Sequence, residues 1–198
     1  PTVDESDLLS VSEVIRSGRI VQGEVVEKFE KKMAKFIGVH GAVATNTGTS
    51  ALHLSLLSIG IKKGDYVAIP SFVCTALLNA VKYVGAQPIL VDINPETYNM
   101  DISNLKKRVK RSTKAIILPH LFGLPADIDE IMSLGIPVIE DCAQAIGAVY
   151  KGKKAGSYGR LSCFSFYATK VLSTGEGGMV VSDSKNLLKK IRDFRDYD

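Results

Sequence analysis

Residues 115–147 read AIILPHLFGLPADIDEIMSLGIPVIEDCAQAIG, and the order of apolar and polar residues in this segment indicates the class of fold. It holds two short apolar runs, residues 115–119 and 138–139, with a helical pattern at residues 128–134 between them. Strands that alternate with helices in this way are typical of a largely parallel sheet with helices on both faces. In such a sheet, ligands collect at the carboxyl ends of the strands, where Asp141 is found.

The same alternation extends along the rest of the chain. Further short apolar runs predict strands, and longer amphipathic stretches predict helices. The additional strands are predicted at residues 42–45, 66–69, 88–91 and 163–166, and the helices at about residues 50–58, 75–84 and 105–109. We therefore predict one α/β domain over residues 1–198, with about seven mostly parallel strands sandwiched between helices.

The composition excludes several classes of protein. Hydrophobic residues make up 45% and charged residues 23%, which is ordinary for a globular protein. The net charge of +4 is modest, and the lysines are scattered over amphipathic stretches, so we expect no nucleic-acid surface. We also expect no membrane span, since no apolar run approaches the roughly 18 residues that one needs. The three cysteines have no metal-ligand spacing, which favours reduced thiols in a cytoplasmic protein and no metal site.

A small polar loop, Asn-Thr-Gly-Thr-Ser at residues 46–50, opens one predicted helix. The free backbone N–H groups at a helix start and its positive dipole end suit a phosphate group. Glycine and threonine at this place are also ordinary helix-capping residues, so the loop alone leaves both interpretations open.

Asp141 follows an apolar strand and precedes the small residues Ala143 and Ala145. A carboxylate is costly to bury there without a cationic or hydrogen-bonding partner, which favours a ligand-binding role. A cap on a following helix is the alternative. One helical turn would bring Gln144 close to Asp141.

Lys170 lies in the segment SCFSFYATKVLSTGEGG, residues 162–178. Phe164, Phe166 and Tyr167 form an apolar setting, in which a lysine loses solvation and its amine form becomes available for imine formation. A surface lysine whose stem lies along aromatic rings is the alternative.

These three elements together predict a pyridoxal phosphate (PLP) site. The loop and Ser165 hold the phosphate, Asp141 keeps the pyridine nitrogen protonated, and Lys170 forms the Schiff base. A protonated ring accepts the electrons of the substrate carbanion, so the carboxylate and the lysine have linked roles.

At these residues the chain resembles the DegT/DnrJ/StrS-type aminotransferases, which act on nucleotide-linked keto sugars. The most specific segments are FSFYATK and GEGGM near the end of the chain and EDCAQA before them. The matching segments span residues 17–20, 23–30, 48–52, 70–72, 140–145, 164–170 and 175–179. The resemblance implies the fold-type-I PLP-dependent transferase fold.

The resemblance also assigns roles in phosphate binding and catalysis. Thr49 and Ser50, in the loop with Gly48, bind the phosphate together with Ser165. Lys170 is the Schiff-base lysine and the proton shuttle.

Asp141 by the same resemblance pairs with the pyridinium nitrogen, and Gln144 contacts the side of the ring. Many members of the family place an aromatic residue against the ring two positions after the one that matches Phe72. In this chain Cys74 occupies that position, so the ring contact differs here.

The function implied is transamination of a nucleotide-linked keto sugar with glutamate as the amino donor, in a homodimer that completes the active site. Related sugar dehydratases carry histidine at the position of Lys170, so the lysine favours transamination over dehydration. Family members run to roughly twice this length, and this chain stops about where the large domain ends. A trimmed or naturally split chain, and a truncated non-catalytic subunit that keeps the PLP fold, are therefore alternatives.

Overall fold

The computed structural model describes residues 1–196, in which a seven-stranded sheet lies between two layers of helices. The helices are α1 Glu5–Ser17, α2 Glu24–Ile37, α3 Gly48–Ser58, α4 Ala76–Tyr83, α5 Ile102–Arg108, α6 Ile128–Met132 and α7 Lys185–Arg195. The strands are β1 Gly41–Thr45, β2 Tyr66–Pro70, β3 Gln87–Val91, β4 Thr113–Pro119, β5 Val138–Asp141, β6 Val149–Tyr150, β7 Lys153–Lys154, β8 Leu161–Ser165 and β9 Gly178–Ser182.

The strand order in the main sheet is β1-β9-β8-β5-β4-β2-β3. The five strands from β8 to β3 are parallel to one another, and β9 is antiparallel to both of its neighbours. Strands β6 and β7 form a separate antiparallel pair. The prediction of a mostly parallel sheet covered by helices is therefore confirmed.

The sequence interpretation missed strand β9. Of its residues, GMVVS, the first two were placed in the glycine-rich end of the candidate cofactor segment, and residues 180–182 received no assignment. All five are buried, and the strand pairs with both β1 and β8. Gly178 begins the strand, and a side chain there would collide with the backbone carbonyl of Thr47.

Alternate residues of the central strands face different helical layers. In β4, Ala115 and Ile117 pack with the cluster under α3, α4 and α7, whereas Ile116 and Leu118 pack with the cluster under α5 and α6. A strand covered on both faces needs apolar residues at every position. This explains why the central strands read as unbroken apolar runs.

Side chains satisfy the outer edge of β1. The buried carboxylate of Glu30 accepts the N–H of Ala44 at 2.8 Å and ion-pairs with Arg192 and Arg195 at 2.6 and 2.9 Å. The two guanidinium groups also donate to backbone carbonyls of β1. This network closes an edge that would otherwise present unpaired backbone groups.

Within residues 1–196, the helices are all too short or too polar to cross a membrane.

Candidate functional site

A cavity of about 250 Å³ opens at the carboxyl ends of β4, β5 and β8, beside the start of α3. Seven of the eight predicted site residues line it, namely Gly48, Thr49, Cys74, Asp141, Gln144, Ser165 and Lys170. Ser50, within the described part of the chain, is the predicted residue that does not line the cavity. Its N–H donates to the Thr47 hydroxyl at 3.0 Å instead.

The start of α3 forms one wall of the cavity. Thr47 caps the helix, with its hydroxyl accepting the N–H of Ser50 and its carbonyl accepting the N–H of Ala51 at 3.1 Å. The N–H groups of Gly48 and Thr49 precede these and have no acceptor within the helix. They therefore suit an anion at this end of the cavity.

Gly48 allows the helix start to approach Ser165. A Cβ at position 48 would lie 2.8 Å from the Ser165 Cβ and 3.3 Å from its Oγ. The hydroxyl of Ser165, at the end of β8, thus lies beside the first backbone N–H groups of α3. Thr47 caps the helix, and the N–H groups of its neighbours Gly48 and Thr49 remain available to an anion, so the two alternatives are compatible.

Asp141 ends β5 and is almost fully buried. Burial raises the pKa of its carboxyl above the ordinary value, and a hydrogen bond from the N–H of Ala143 at 3.0 Å partly opposes this rise. The positive charge of Lys170 opposes it as well. A cation or a hydrogen-bond donor in the cavity would therefore stabilise the carboxylate further.

The alternative interpretation of Asp141 as a helix cap is wrong. The chain turns directly after β5, and the bond from Ala143 closes a short turn in place of a helix start. Gln144 nevertheless reaches the cavity, and its Oε1 accepts the N–H of Phe122 at 2.9 Å.

Lys170 is half-buried on the loop between β8 and β9. Backbone hydrogen bonds between the two ends of this loop hold it in place. The N–H of Phe166 donates to the Gly177 carbonyl, and the Phe166 carbonyl accepts the N–H of Thr174, both at 2.9 Å. The Phe166 ring is buried against Phe29, with ring centroids 5.0 Å apart. This anchor holds the loop against the sheet so that Lys170 lines the cavity opposite the start of α3.

Cys74 lines the cavity and is exposed to solvent. The ring of Phe72, which could have supplied the missing aromatic contact, packs against Tyr98 with centroids 5.8 Å apart. Apolar contacts to a ligand ring would therefore come from other lining residues, such as Val73 and Leu121.

Four polar residues outside the predicted set also line the cavity, Thr47, His120, Tyr167 and Glu176. The sequence placed Thr47 in the candidate phosphate loop, but it gave no ligand-binding role to Tyr167 or Glu176. His120 follows a predicted strand, which allowed a place near the site, but a turn-stabilising or core-edge role was the favoured interpretation.

His120, Glu140 and the Cys142 thiol bring three possible metal ligands within 4.8 Å of one another. The chemistry of the group does not favour an ion. Burial raises the pKa of the Cys142 thiol well above its ordinary value, so the thiolate that would bind a metal is disfavoured. The Glu140 carboxylate already accepts hydrogen bonds from several donors.

A larger groove of about 970 Å³ lies between α2 and α7, along the outer edge of β1. It contains the Glu30 network with Arg192 and Arg195 and none of the predicted site residues. We assign the site to the smaller cavity, because lysine, carboxylate and helix start meet there.

The mostly parallel sheet between helices is the fold of the fold-type-I PLP-dependent aminotransferases. The chain belongs to the DegT/DnrJ/EryC1/StrS aminotransferase family, whose model matches residues 1–197. A GDP-perosamine synthase of Escherichia coli O157:H7 is 44% identical over 178 residues, which cover 88% of this chain and 49% of that protein.

Two solved structures show the same fold. DesV of S. venezuelae, in complex with a ketimine intermediate, is 36% identical with a TM-score of 0.92, and the match covers 96% of this chain and 52% of that one. Spr1654 of Streptococcus pneumoniae, assigned as a sugar aminotransferase and solved in its PLP form, is 28% identical with a TM-score of 0.92. That match covers 97% of this chain and 55% of the other. The chain thus spans about half the length of the relatives that it matches.

Proposed function

We propose that this chain is the PLP-binding large domain, residues 1–198, of an aminotransferase that acts on a nucleotide-linked keto sugar. The observation that carries the proposal is the meeting of Lys170, Asp141 and the start of α3 at one cavity. These positions are far apart in the sequence, and each supplies a different group that PLP requires.

The donor set fits PLP. The N–H groups of Gly48 and Thr49, with the hydroxyls of Thr49 and Ser165, offer a neutral, polar cradle for a phosphate dianion at a helix start. Asp141 offers a buried carboxylate for the pyridine nitrogen, and Lys170 a primary amine for the aldehyde. Ser50 supports this cradle indirectly, because its N–H and its hydroxyl form hydrogen bonds with the hydroxyl of Thr47, which caps the helix.

When bound, PLP would withdraw electrons from the substrate carbon next to the transferred nitrogen. Asp141 would hold a proton on the ring nitrogen, and the burial of its carboxylate would strengthen that interaction. The Nζ of Lys170 would act as general base and then general acid, moving a proton between the substrate carbon and the cofactor carbon. Gln144 lies at the side of the cavity and helps to orient the ring.

The small volume of the cavity supports an active site that residues from outside this chain complete. About 250 Å³ lies just below the usual range for small-molecule sites and has no room for a nucleotide-linked sugar as well. The sugar, its nucleotide and the donor glutamate would bind at the open side. We propose that this side is completed by residues outside the chain and by a second subunit of a homodimer.

Lys170 separates transamination from the dehydratase alternative, because only a primary amine can form the Schiff base and then carry the proton. A cytoplasmic location belongs to the same proposal. All three cysteines are free, as reduced thiols in that compartment are.

The test is borohydride reduction of the PLP-loaded protein, followed by peptide mapping. We expect stable labelling at Lys170 and loss of that label in Lys170→Arg. Lys106→Arg is the matched control, because that ammonium pairs at the surface with Glu130 at 2.7 Å. A label that survives Lys170→Arg at the same stoichiometry would rule out the assignment.

Turnover separates the enzyme from a non-catalytic subunit of the same fold. We expect the chain, together with the polypeptide that supplies the rest of the site, to form an amino sugar from a nucleotide-linked keto sugar and glutamate. A deoxy sugar as the only product would point to dehydration, and PLP binding without any product would point to the non-catalytic subunit.

A further inference from the structure

The Glu140 carboxylate is fully buried next to Asp141 and has no role in the proposed chemistry. It accepts five hydrogen bonds, four from donors on one side of β5 and one from a histidine ring. The donors are the N–H groups of Gly156 at 2.8 Å, Tyr158 at 2.9 Å and Gly159 at 2.6 Å, the Ser162 hydroxyl at 3.1 Å and His120 Nε2 at 3.0 Å.

This set of donors keeps the buried group ionised. Burial by itself would raise the pKa of Glu140, but the hydrogen bond from His120 and the N–H groups of Gly159 and Gly156 outweigh it and lower the pKa. A carboxylate that accepts several backbone N–H bonds is strongly stabilised in its charged form.

Two glycines let the donor loop reach the carboxylate. Gly156 has φ +98°, and a Cβ there would lie 2.7 Å from the Phe164 ring. A Cβ on Gly159 would lie 2.9 Å from the Leu161 carbonyl oxygen and 3.1 Å from the Glu140 Cγ. The loop therefore passes close to Glu140 only because these positions lack side chains.

His120 carries the interaction from Glu140 to the cavity. Its Nδ1 accepts the N–H of Ala126 at 3.1 Å, so the ring proton is on Nε2, which donates to Glu140. The His120 side chain is fully buried, and the residue lies at the wall of the cavity. The backbone N–H of His120 also donates to the Asp141 carbonyl at 3.1 Å.

These bonds tie the end of β4, the loop before β8 and β8 itself to the end of β5. Side chains alternate along a strand, so Glu140 and Asp141 point to opposite sides of β5. The Asp141 side chain has a single backbone partner in Ala143, so its direction depends on where the end of β5 is held.

We propose that Glu140 is a positioning residue of the cofactor site, which fixes the direction of the Asp141 carboxylate and holds His120 in the wall of the cofactor cavity. This inference rests on the proposed function and deepens it, because it names a residue that does not touch the ligand and yet sets its binding.

Glu140→Gln tests the proposal, because glutamine keeps the size but replaces one acceptor oxygen with an NH₂ donor. At either oxygen position, the NH₂ would face a backbone N–H donor, from Gly156 or from Gly159. We expect the Kd for PLP to rise at least about tenfold, equivalent to about 1.4 kcal/mol. We also expect the pH midpoint of the visible absorption band of bound PLP to shift.

Glu30→Gln is the matched control, because Glu30 is a second buried carboxylate with backbone and side-chain donors, away from the cavity. We expect it to lower the urea midpoint of unfolding while leaving the Kd for PLP within twofold of the wild type. A wild-type Kd and pH midpoint in folded Glu140→Gln would overturn the proposal, as would equal effects of the two variants.

Ser162→Ala decides the question if Glu140→Gln does not fold. It removes one hydrogen bond to Glu140 from a residue that does not line the cavity in the described part of the chain. We expect about a threefold rise in Kd, and a wild-type Kd and pH midpoint would overturn the proposal. A wild-type protein that does not bind PLP at Lys170 would instead contradict the proposed function, before any variant is compared.

Discussion

Gly48 and Ser165 touch across the candidate site: a Cβ on Gly48 would lie 2.8 Å from that of Ser165. The contact joins the start of α3 to the end of β8, and it leaves the helix N–H groups and the serine hydroxyl facing the same space. The proposed phosphate cradle depends on the absence of a side chain at position 48.

Gly48→Ala should therefore push the helix start away from Ser165. We expect the Kd for PLP to rise at least about tenfold and the free energy of unfolding to fall by about 1–3 kcal/mol, the usual cost of overpacking. Absorbance titration and urea denaturation measure the two effects. Gly23→Ala is the control, because no atom lies within 4 Å of a Cβ there. Equal behaviour of the two variants would contradict the cradle.

Asp141→Asn should stabilise the protein in the absence of PLP. Burial raises the pKa of Asp141 above its ordinary value of 3.8, so the folded state holds a proton that the unfolded state has lost. The free energy of unfolding then falls as the pH rises through the window between these pKa values, and the cost is fully present above it. Asparagine carries no charge, so this cost disappears.

We expect the free energy of unfolding of Asp141→Asn to exceed that of the wild type by about 0.5–2 kcal/mol at neutral pH, a typical gain when a residue that serves function at the expense of stability is replaced. We also expect this variant to bind PLP more weakly. Urea denaturation from pH 4 to 8 checks the gain and its pH dependence. Asp129→Asn, at an exposed carboxylate paired with Lys151, should show no comparable gain. A loss of stability in Asp141→Asn at neutral pH would show that the carboxylate is already well satisfied.

Cys74 should be the one cysteine that reacts quickly with iodoacetamide in the native protein. It is exposed, whereas Cys142 and Cys163 are buried and burial raises the pKa of both thiols. Because Cys74 lines the cavity, PLP at ten times its Kd should slow the labelling about tenfold.

Mass spectrometry of the labelled peptides measures this protection without any need for turnover. Cys74→Ser should remove the fast phase and leave the slow labelling of the buried thiols unchanged. An unchanged rate at Cys74 in saturating PLP would place the cofactor elsewhere.

Glu30→Ala should destabilise the protein strongly, because it removes the acceptor of the Ala44 N–H and a carboxylate that pairs with two guanidinium groups. We expect a loss of about 2–3 kcal/mol, below the range for fully buried pairs because the Arg192 side chain is 42% exposed. Urea denaturation gives the value.

Lys189→Ala is the control for that prediction, since Lys189 pairs with Asp193 on the exposed face of α7 at 3.2 Å. It should cost less than about 0.5 kcal/mol. A similar loss in both variants would mean that the edge network contributes no more than a surface ion pair.

The central strands could be predicted from their apolar runs, because burial on both faces leaves no polar position in them. Strand β9 could not be predicted in this way, because its glycine-rich start resembles a loop. Its short apolar run becomes a strand by pairing with β1, which is distant in the sequence, and with β8, which precedes it. The helix start moved from residue 50 to Gly48 for a local reason, since Thr47 is the residue that caps it.

Local patterns in the sequence were enough to predict the order of strands, helices and polar residues. Their neighbours in the chain indicated Lys170, Asp141 and the loop at Gly48 as the groups of one site. The folded chain was needed to show that these groups line one cavity, because the strand order brings Gly48 close to residues more than ninety positions away. It alone revealed the bonds of Glu140, since a buried carboxylate depends on donors that distant loops deliver.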